Sequence, residues 1–267
     1  MISVHGGIGE SQTGVEKLCA DAIREASSDV LDVVKAVMFL ENDGITNCGI
    51  GSSLTTNKTV ECEAGYMSSN NLIFGSVGSL TNCKHPSILA KKLATAQLSD
   101  SRLIPPICLA GQGANDFACE CEDVPTCSNS DLITKRSTHH YEKAKGMLDQ
   151  TWDTVGACSI GTSGVAAACV SSGGLILKRP GRLGHSATFG AGVWAEQRGQ
   201  VSVSISLTGC GEAIIRTGLA QQIANSIFDR DDETTFLEIV TVCVKTRFLG
   251  SRLLANFSEY IDAKLAD

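Results

Sequence analysis

Apolar positions along the chain change their period several times, and each change marks an element. Residues 2–5 form a short buried strand that runs into Gly6-Gly7-Ile8-Gly9. Residues 15–26 and 30–41 then take a helical period. In the second, Val30, Val33, Val34, Val37 and Met38 share one face, and Asp29 is placed to cap the start. After a polar glycine loop at 42–53, residues 60–67 alternate Val60, Cys62, Ala64 and Tyr66 inside a polar register, the period of a half-buried strand. Residues 72–77 and 104–110 read as further strands. Pro86 opens a helix to about residue 97, and residues 114–121 form a short helix.

Between residues 121 and 150 the sustained apolar period stops. The stretch is polar, carries His139-His140, and is expected to be a mobile linker or a loosely held helix. The apolar signal returns at Thr154. Strands at 155–160 and 165–170 flank the turn Gly161-Thr162-Ser163-Gly164 as a hairpin, and residues 201–207 alternate as another strand. Helices are expected at 211–227, at 234–248 (ended by Gly250) and at 253–265. This order suggests one α+β sandwich domain over residues 1–267.

Composition narrows the function classes. The 267 residues are 43% hydrophobic, enough for one sizeable core. A net charge of −7 with no strongly basic block argues against direct nucleic-acid binding. No apolar run is long enough to span a membrane, and the first residues lack the pattern of a signal peptide, so a cytoplasmic or nuclear protein is expected. The twelve cysteines read as small buried hydrophobes in a reducing compartment. Cys119-Glu120-Cys121 with Cys127 has no matching second ligand pair, so no metal and no cofactor is expected.

Candidate chemistry concentrates at Asp153-Thr154-Val155-Gly156-Ala157. Amide hydrolysis needs a nucleophile with a base, donors for the oxyanion, and a substrate clamp. A threonine opening a strand after a linker supplies the first two together once the bond before it is cut. Its α-amine, with a reference pKa near 8, is then free to take the hydroxyl proton.

Six ordered motifs surround that threonine: His5-Gly6-Gly7, Thr46-Asn47-Cys48-Gly49-Ile50-Gly51-Ser52, Asp153-Thr154-Val155-Gly156-Ala157, Ser171-Ser172-Gly173-Gly174, Pro180-Gly181-Arg182-Leu183-Gly184 and Thr208-Gly209-Cys210-Gly211-Glu212. Together they resemble the plant-type asparaginase superfamily, and within it the threonine aspartases (taspases). Asp153, Cys210 and Arg102-Leu103-Ile104-Pro105-Pro106 fit that branch. The resemblance implies an αββα N-terminal-nucleophile sandwich and a zymogen that cuts itself into 1–153 and 154–267. It further implies an endopeptidase cleaving after aspartate in nuclear transcription or chromatin regulators, and a homodimer of processed units. It makes Thr154 the nucleophile, Ser172 the group orienting it, and Thr208 with Gly209 the oxyanion hole. Arg182 becomes the carboxylate clamp, with Gly6, Gly7, Asn47 and His185 lining the substrate site.

Two departures qualify the resemblance. Asparaginases place an aspartate three residues after the arginine to hold a free substrate amine, and this chain has His185 there. That favours a peptidase over the alternative, an isoaspartyl peptidase or L-asparaginase; a catalytically silent binding-only relative is the third reading. The chain also continues past residue 248 without the strands the family carries there. The second sheet is therefore expected to lack C-terminal strands, to the detriment of stability and processing.

Overall fold

Sheet pairing explains most of what the sequence period leaves open. The computed structural model describes residues 1–7, 14–26, 32–99, 102–146, 153–229 and 237–244. Six strands form a first sheet: β1 (Ile2–His5), β2 (Cys62–Ser68), β3 (Ile73–Leu80), β4 (Cys108–Ala110), β5 (Val155–Ile160) and β6 (Ala166–Ser172), in the order β1-β5-β6-β2-β3-β4. All neighbours are antiparallel except the parallel pair β3–β4. A second sheet holds β7 (Val193–Arg198), β8 (Val201–Gly209) and β9 (Leu237–Val244), in that order.

Helices α1 (Val15–Ala26), α2 (Val33–Asp43) and α3 (Pro86–Ala96) cover the outer face of the first sheet. Val33, Val34, Val37 and Leu40 of α2 pack there with Val155 and Ala157 of β5 and Ala64 and Tyr66 of β2. Cys158 and Ile160 of β5, Ala168 and Val170 of β6 and Met67 of β2 point the other way, into a second core with β7, β8 and helix α7 (Leu219–Phe228). The result is the αββα sandwich of N-terminal-nucleophile hydrolases. Because β2 lies between two packed layers, all seven of its residues are buried, not half of them as the alternation suggested.

Several boundaries differ from the sequence expectation for identifiable reasons. Helix α2 starts at Val33, where the Asp32 carboxylate accepts from the Lys35 amide at 3.3 Å; the cap expected at Asp29 lies outside the described residues. Strand β4 keeps only three residues, and Leu103 and Ile104 are exposed, because Pro105-Pro106 supplies no ladder donors. The described part of the stretch after residue 121, residues 122–146, is built of regular elements and anchored turns, and the rest lies outside the described residues. Helix α4 (Gln112–Glu120) leads to a 3-10 turn at Asn129–Leu132 and then to α5 (Lys135–Gly146). Asn129 anchors it through Val60 and Thr81, and Leu132 and Tyr141 are buried.

In the second half, the helix expected at 211–227 divides into α6 (Gly211–Thr217) and α7 at Gly218, which adopts φ 55° and ψ 43°. Strand β7 was not expected, since it is a short segment after a glycine-rich turn. The described part of the helix expected at 234–248, residues 237–244, is instead β9, parallel to β8. Its Ile239, Val240, Thr241, Val242 and Val244 are β-branched, and strand preference overrides the helical reading. β9 adds a parallel strand to the second sheet; the strands expected to be missing past residue 248 fall outside the described residues. The helix expected at 253–265 lies outside the described residues.

Candidate active site

The antiparallel register delivers three side chains to one row. Val155 pairs with Ser171, so Thr154 and Ser172 sit opposite each other one step further along; Glu63 of β2 pairs with Ser172 on its other side. Alternation puts Glu63, Ser172 and Thr154 on the face turned towards the second sheet, and all three are buried. Strand β8 answers from across the gap. Val203, Ile205 and Leu207 enter the apolar core, while Ser202, Ser204, Ser206 and Thr208 alternate onto the opposite face. Ser204 donates to the Ala167 carbonyl at 2.7 Å, which identifies that face as the one meeting the first sheet.

Around the Asp153–Thr154 bond the geometry is specific. Thr154 Oγ1 donates to Ser172 Oγ at 3.3 Å. Ser172 Oγ donates in turn to the Asp153 carbonyl oxygen at 3.1 Å and accepts from the Gly174 amide at 2.9 Å. Asn47 Nδ2 is the second donor to that carbonyl, at 2.9 Å, and is itself fixed by the Gly174 carbonyl at 2.8 Å. Asn47 Oδ1 accepts from the Ser53 amide at 2.8 Å, so both ends of its amide are set by backbone partners. Two donors on one carbonyl oxygen polarise it towards attack, the arrangement of an oxyanion hole.

The first-strand loop splits in its roles. Gly7, at φ 102°, comes so close to Asp153 that a Cβ there would lie 2.6 Å from Oδ1. Gly6 faces Val15 and Cys19 of α1 instead, away from the row. His5, which the sequence offered only as part of a motif, bonds through Nε2 to Ser206 Oγ at 2.7 Å across the two sheets. That bond passes directly over Gly156, where a Cβ would lie 2.0 Å from Ser206 Oγ. Burial pushes the His5 pKa down to about 4, with His185 adding to the effect and the Thr154 backbone opposing it.

A narrow cleft beside Thr154 is bounded by Glu63, Ser172, Arg182, His185, Gly209 and Gly211. Arg182 makes a two-point pair with Glu212, Nε to Oε1 at 3.0 Å and Nη2 to Oε2 at 2.9 Å, leaving Nη1 on the side of Gly174 and Gly184. His185 Nε2 donates to the Leu207 carbonyl at 3.0 Å, and burial lowers the ring's pKa. The ring is thus neutral at pH 7, protonated on Nε2, with the Nδ1 lone pair left to accept. The buried Thr208 Oγ1 has no partner among the described residues, and its neighbour Gly209 borders the cleft.

Sequence reasoning missed Glu63, Lys178 and Ser206. No local signal set Glu63 apart, because the alternation of residues 60–67 placed it in the register expected to face solvent. Lys178 is buried and donates to the Glu61 carbonyl at 2.6 Å; burial lowers its pKa, with Glu63 opposing. Among the described residues no three His, Cys, Asp or Glu side chains gather as metal ligands, and no helix is long and apolar enough to cross a membrane.

Residues 10–236 match the family model described as Asparaginase. The chain belongs to the asparaginase family. The matched span carries Asn47, Glu63, Thr154, Ser172, Arg182, His185 and Thr208, and leaves Gly6 and Gly7 outside. Among curated relatives, an isoaspartyl peptidase/L-asparaginase of Rattus norvegicus is 29% identical, covering 96% of this chain and 80% of the relative. An isoaspartyl peptidase of Escherichia coli strain K12 is 32% identical over 84% of this chain and 75% of the relative. An isoaspartyl peptidase/L-asparaginase of Xenopus laevis is 32% identical over 84% and 74%. For this asparaginase-family chain the coarser expectation of an N-terminal-nucleophile hydrolase holds, while the relatives carry the name given above as the alternative.

Proposed function

We propose that the chain is a self-processing threonine hydrolase acting on amide bonds at the carbonyl of an aspartyl group. One observation carries this reading: the Asp153 carbonyl is gripped by Asn47 Nδ2 and Ser172 Oγ, with Thr154 Oγ1 hydrogen-bonded to the same serine. Thr154 Oγ1 adds to the Asp153 carbonyl carbon and passes its proton to Ser172, whose own proton moves onto the carbonyl oxygen. As the carbonyl re-forms, that proton passes to the Thr154 nitrogen and the carbon–nitrogen bond breaks, leaving an ester on Oγ1 and a free amine on Thr154. Water then opens the ester to give chains 1–153 and 154–267. In the processed enzyme that amine is the base for Oγ1, Thr208 Oγ1 and the Gly209 amide receive the oxyanion, and Arg182 holds the substrate carboxylate.

The relatives' names favour β-aspartyl peptides and L-asparagine as substrates, with the α-carboxylate on Arg182. A second reading, an endopeptidase cutting after aspartate, is favoured by His185. A neutral ring with an acceptor on Nδ1 suits a peptide N–H, whereas an ammonium calls for a carboxylate. In that form the aspartate side chain lies on Arg182, as it would for a substrate resembling Thr151-Trp152-Asp153. The nuclear regulators and homodimeric assembly implied by the resemblance belong to this second form. Free buried thiols at Cys48, Cys62, Cys83, Cys158 and Cys169 support a reducing compartment, cytoplasmic or nuclear, for either form.

The processed protein decides between them when offered a β-aspartyl dipeptide, L-asparagine and an internal α-aspartyl peptide. Release of aspartate from the first two supports the relatives' reaction; cleavage of the third alone supports the endopeptidase. Hydrolysis of none by fully processed protein refutes the proposed function.

A further inference from the structure

We infer that Glu63 is the residue that reads the amino group of an aspartyl substrate, in the place that His185 leaves without a carboxylate. The inference rests on the reading that an aspartyl group occupies this cleft.

Three observations converge on Glu63. It is 1% exposed, and its Oε1 has no hydrogen-bond partner among the described residues, although a buried carboxylate oxygen ordinarily finds one. Its other oxygen, Oε2, is committed to the Gly184 amide at 2.5 Å, which fixes the direction of the carboxylate. Oε1 and Arg182 Nη1 both lie within 3 Å of one point, the position of a Cβ on Gly184, at 2.3 and 2.8 Å. An acceptor and a cationic donor therefore lie near each other against Gly184, and both residues border the cleft that Thr154 also lines. An aspartyl group carries a carboxylate and a nitrogen on neighbouring atoms, so it matches this pair with the carboxylate on Arg182 and the nitrogen on Glu63. The competing role for Glu63 is architectural, as anchor for Gly184 and counter-charge for the buried Lys178.

L-Aspartate and succinate separate the two roles, because they share both carboxylates and differ in the amine. Calorimetric titration of processed wild-type protein is expected to show aspartate binding tighter by about tenfold or more, the range for a hydrogen bond to a charged group. In Glu63→Gln the preference is expected to shrink to about twofold with succinate affinity unchanged, since the amide removes the charge and keeps the shape. A variant that loses both ligands equally shows the architectural role and overturns the assignment, as does one that keeps the full preference. If Glu63→Gln does not fold or process, Glu63→Asp retains the charge but withdraws it by one methylene. It is expected to lower the preference at least threefold, and an unchanged preference overturns the assignment. Because this is a binding measurement, an aspartate preference in a protein that hydrolyses no β-aspartyl amide would refute the substrate reading and leave Glu63 in place.

Discussion

Replacing Asn47 by alanine removes one of the two donors on the scissile carbonyl and leaves Thr154 and Ser172 untouched. Asn47 Nδ2 lies 2.9 Å from the Asp153 oxygen and is held there by the Gly174 carbonyl and, through Oδ1, by the Ser53 amide. The donor is thus aimed before the reaction and costs nothing to orient as charge develops. Deleting a donor of this kind slows acyl transfer by about 10²–10³-fold, or about 3–4 kcal/mol of barrier. Ser172 Oγ keeps its 3.1 Å contact, so cleavage should slow to that extent and not stop. The assay is a time course of precursor conversion at fixed temperature, followed on denaturing gels, with thermal melting of each precursor alongside. The Ser53 amide also loses its acceptor, at a cost of about 1–3 kcal/mol of stability, so rates are compared well below the melting range. A self-cleavage rate within threefold of wild type in a folded Asn47→Ala precursor would show that this carbonyl is not activated in the way described.

Other consequences follow from the same geometry. The unfolded chain takes up a proton on His5 near pH 6.5 and the folded chain only near about 4, so stability is complete above 6.5 and falls as pH drops towards 4. At about 1.4 kcal/mol per unit this amounts to about 3 kcal/mol, and His5→Gln should flatten that limb of a denaturant-versus-pH series. Gly156→Ala drives a methyl into the His5–Ser206 bond and should lower stability by about 1–3 kcal/mol, read as a drop in melting temperature. Glu212→Gln removes the charge that fixes Arg182 while Glu212 remains half exposed; KM should rise by about two- to fivefold with kcat little changed. A kcat loss without a KM change would assign Glu212 elsewhere.

Strands with a clear alternation, such as β1, β5 and β8, were legible in the sequence, as were α1 and α3, because local period and tertiary role agree there. The row of Glu63, Ser172 and Thr154 was only partly legible. Thr154 and Ser172 stood out through their motifs, but their pairing depends on a β5–β6 register that no local signal states. Glu63 was hidden because a glutamate in a strand ordinarily faces solvent, and only the second sheet removes the solvent. The period over 234–248 misled because β-branched residues suit a strand once β8 offers a partner. The ordered segment at 129–146 was read as loose because its anchors, Asn129, Leu132 and Tyr141, are single residues spaced too widely to make a period.

In the proposed function Thr154 cuts the bond before it and becomes the new N-terminus. Intact-mass measurement of freshly purified wild type and Thr154→Ala tests this most directly. Two chains are expected for wild type, one ending at Asp153 and one beginning at Thr154, and one uncut chain for the variant. A Thr154→Ala protein that still divides at this bond, or a wild type that divides at another, would contradict it.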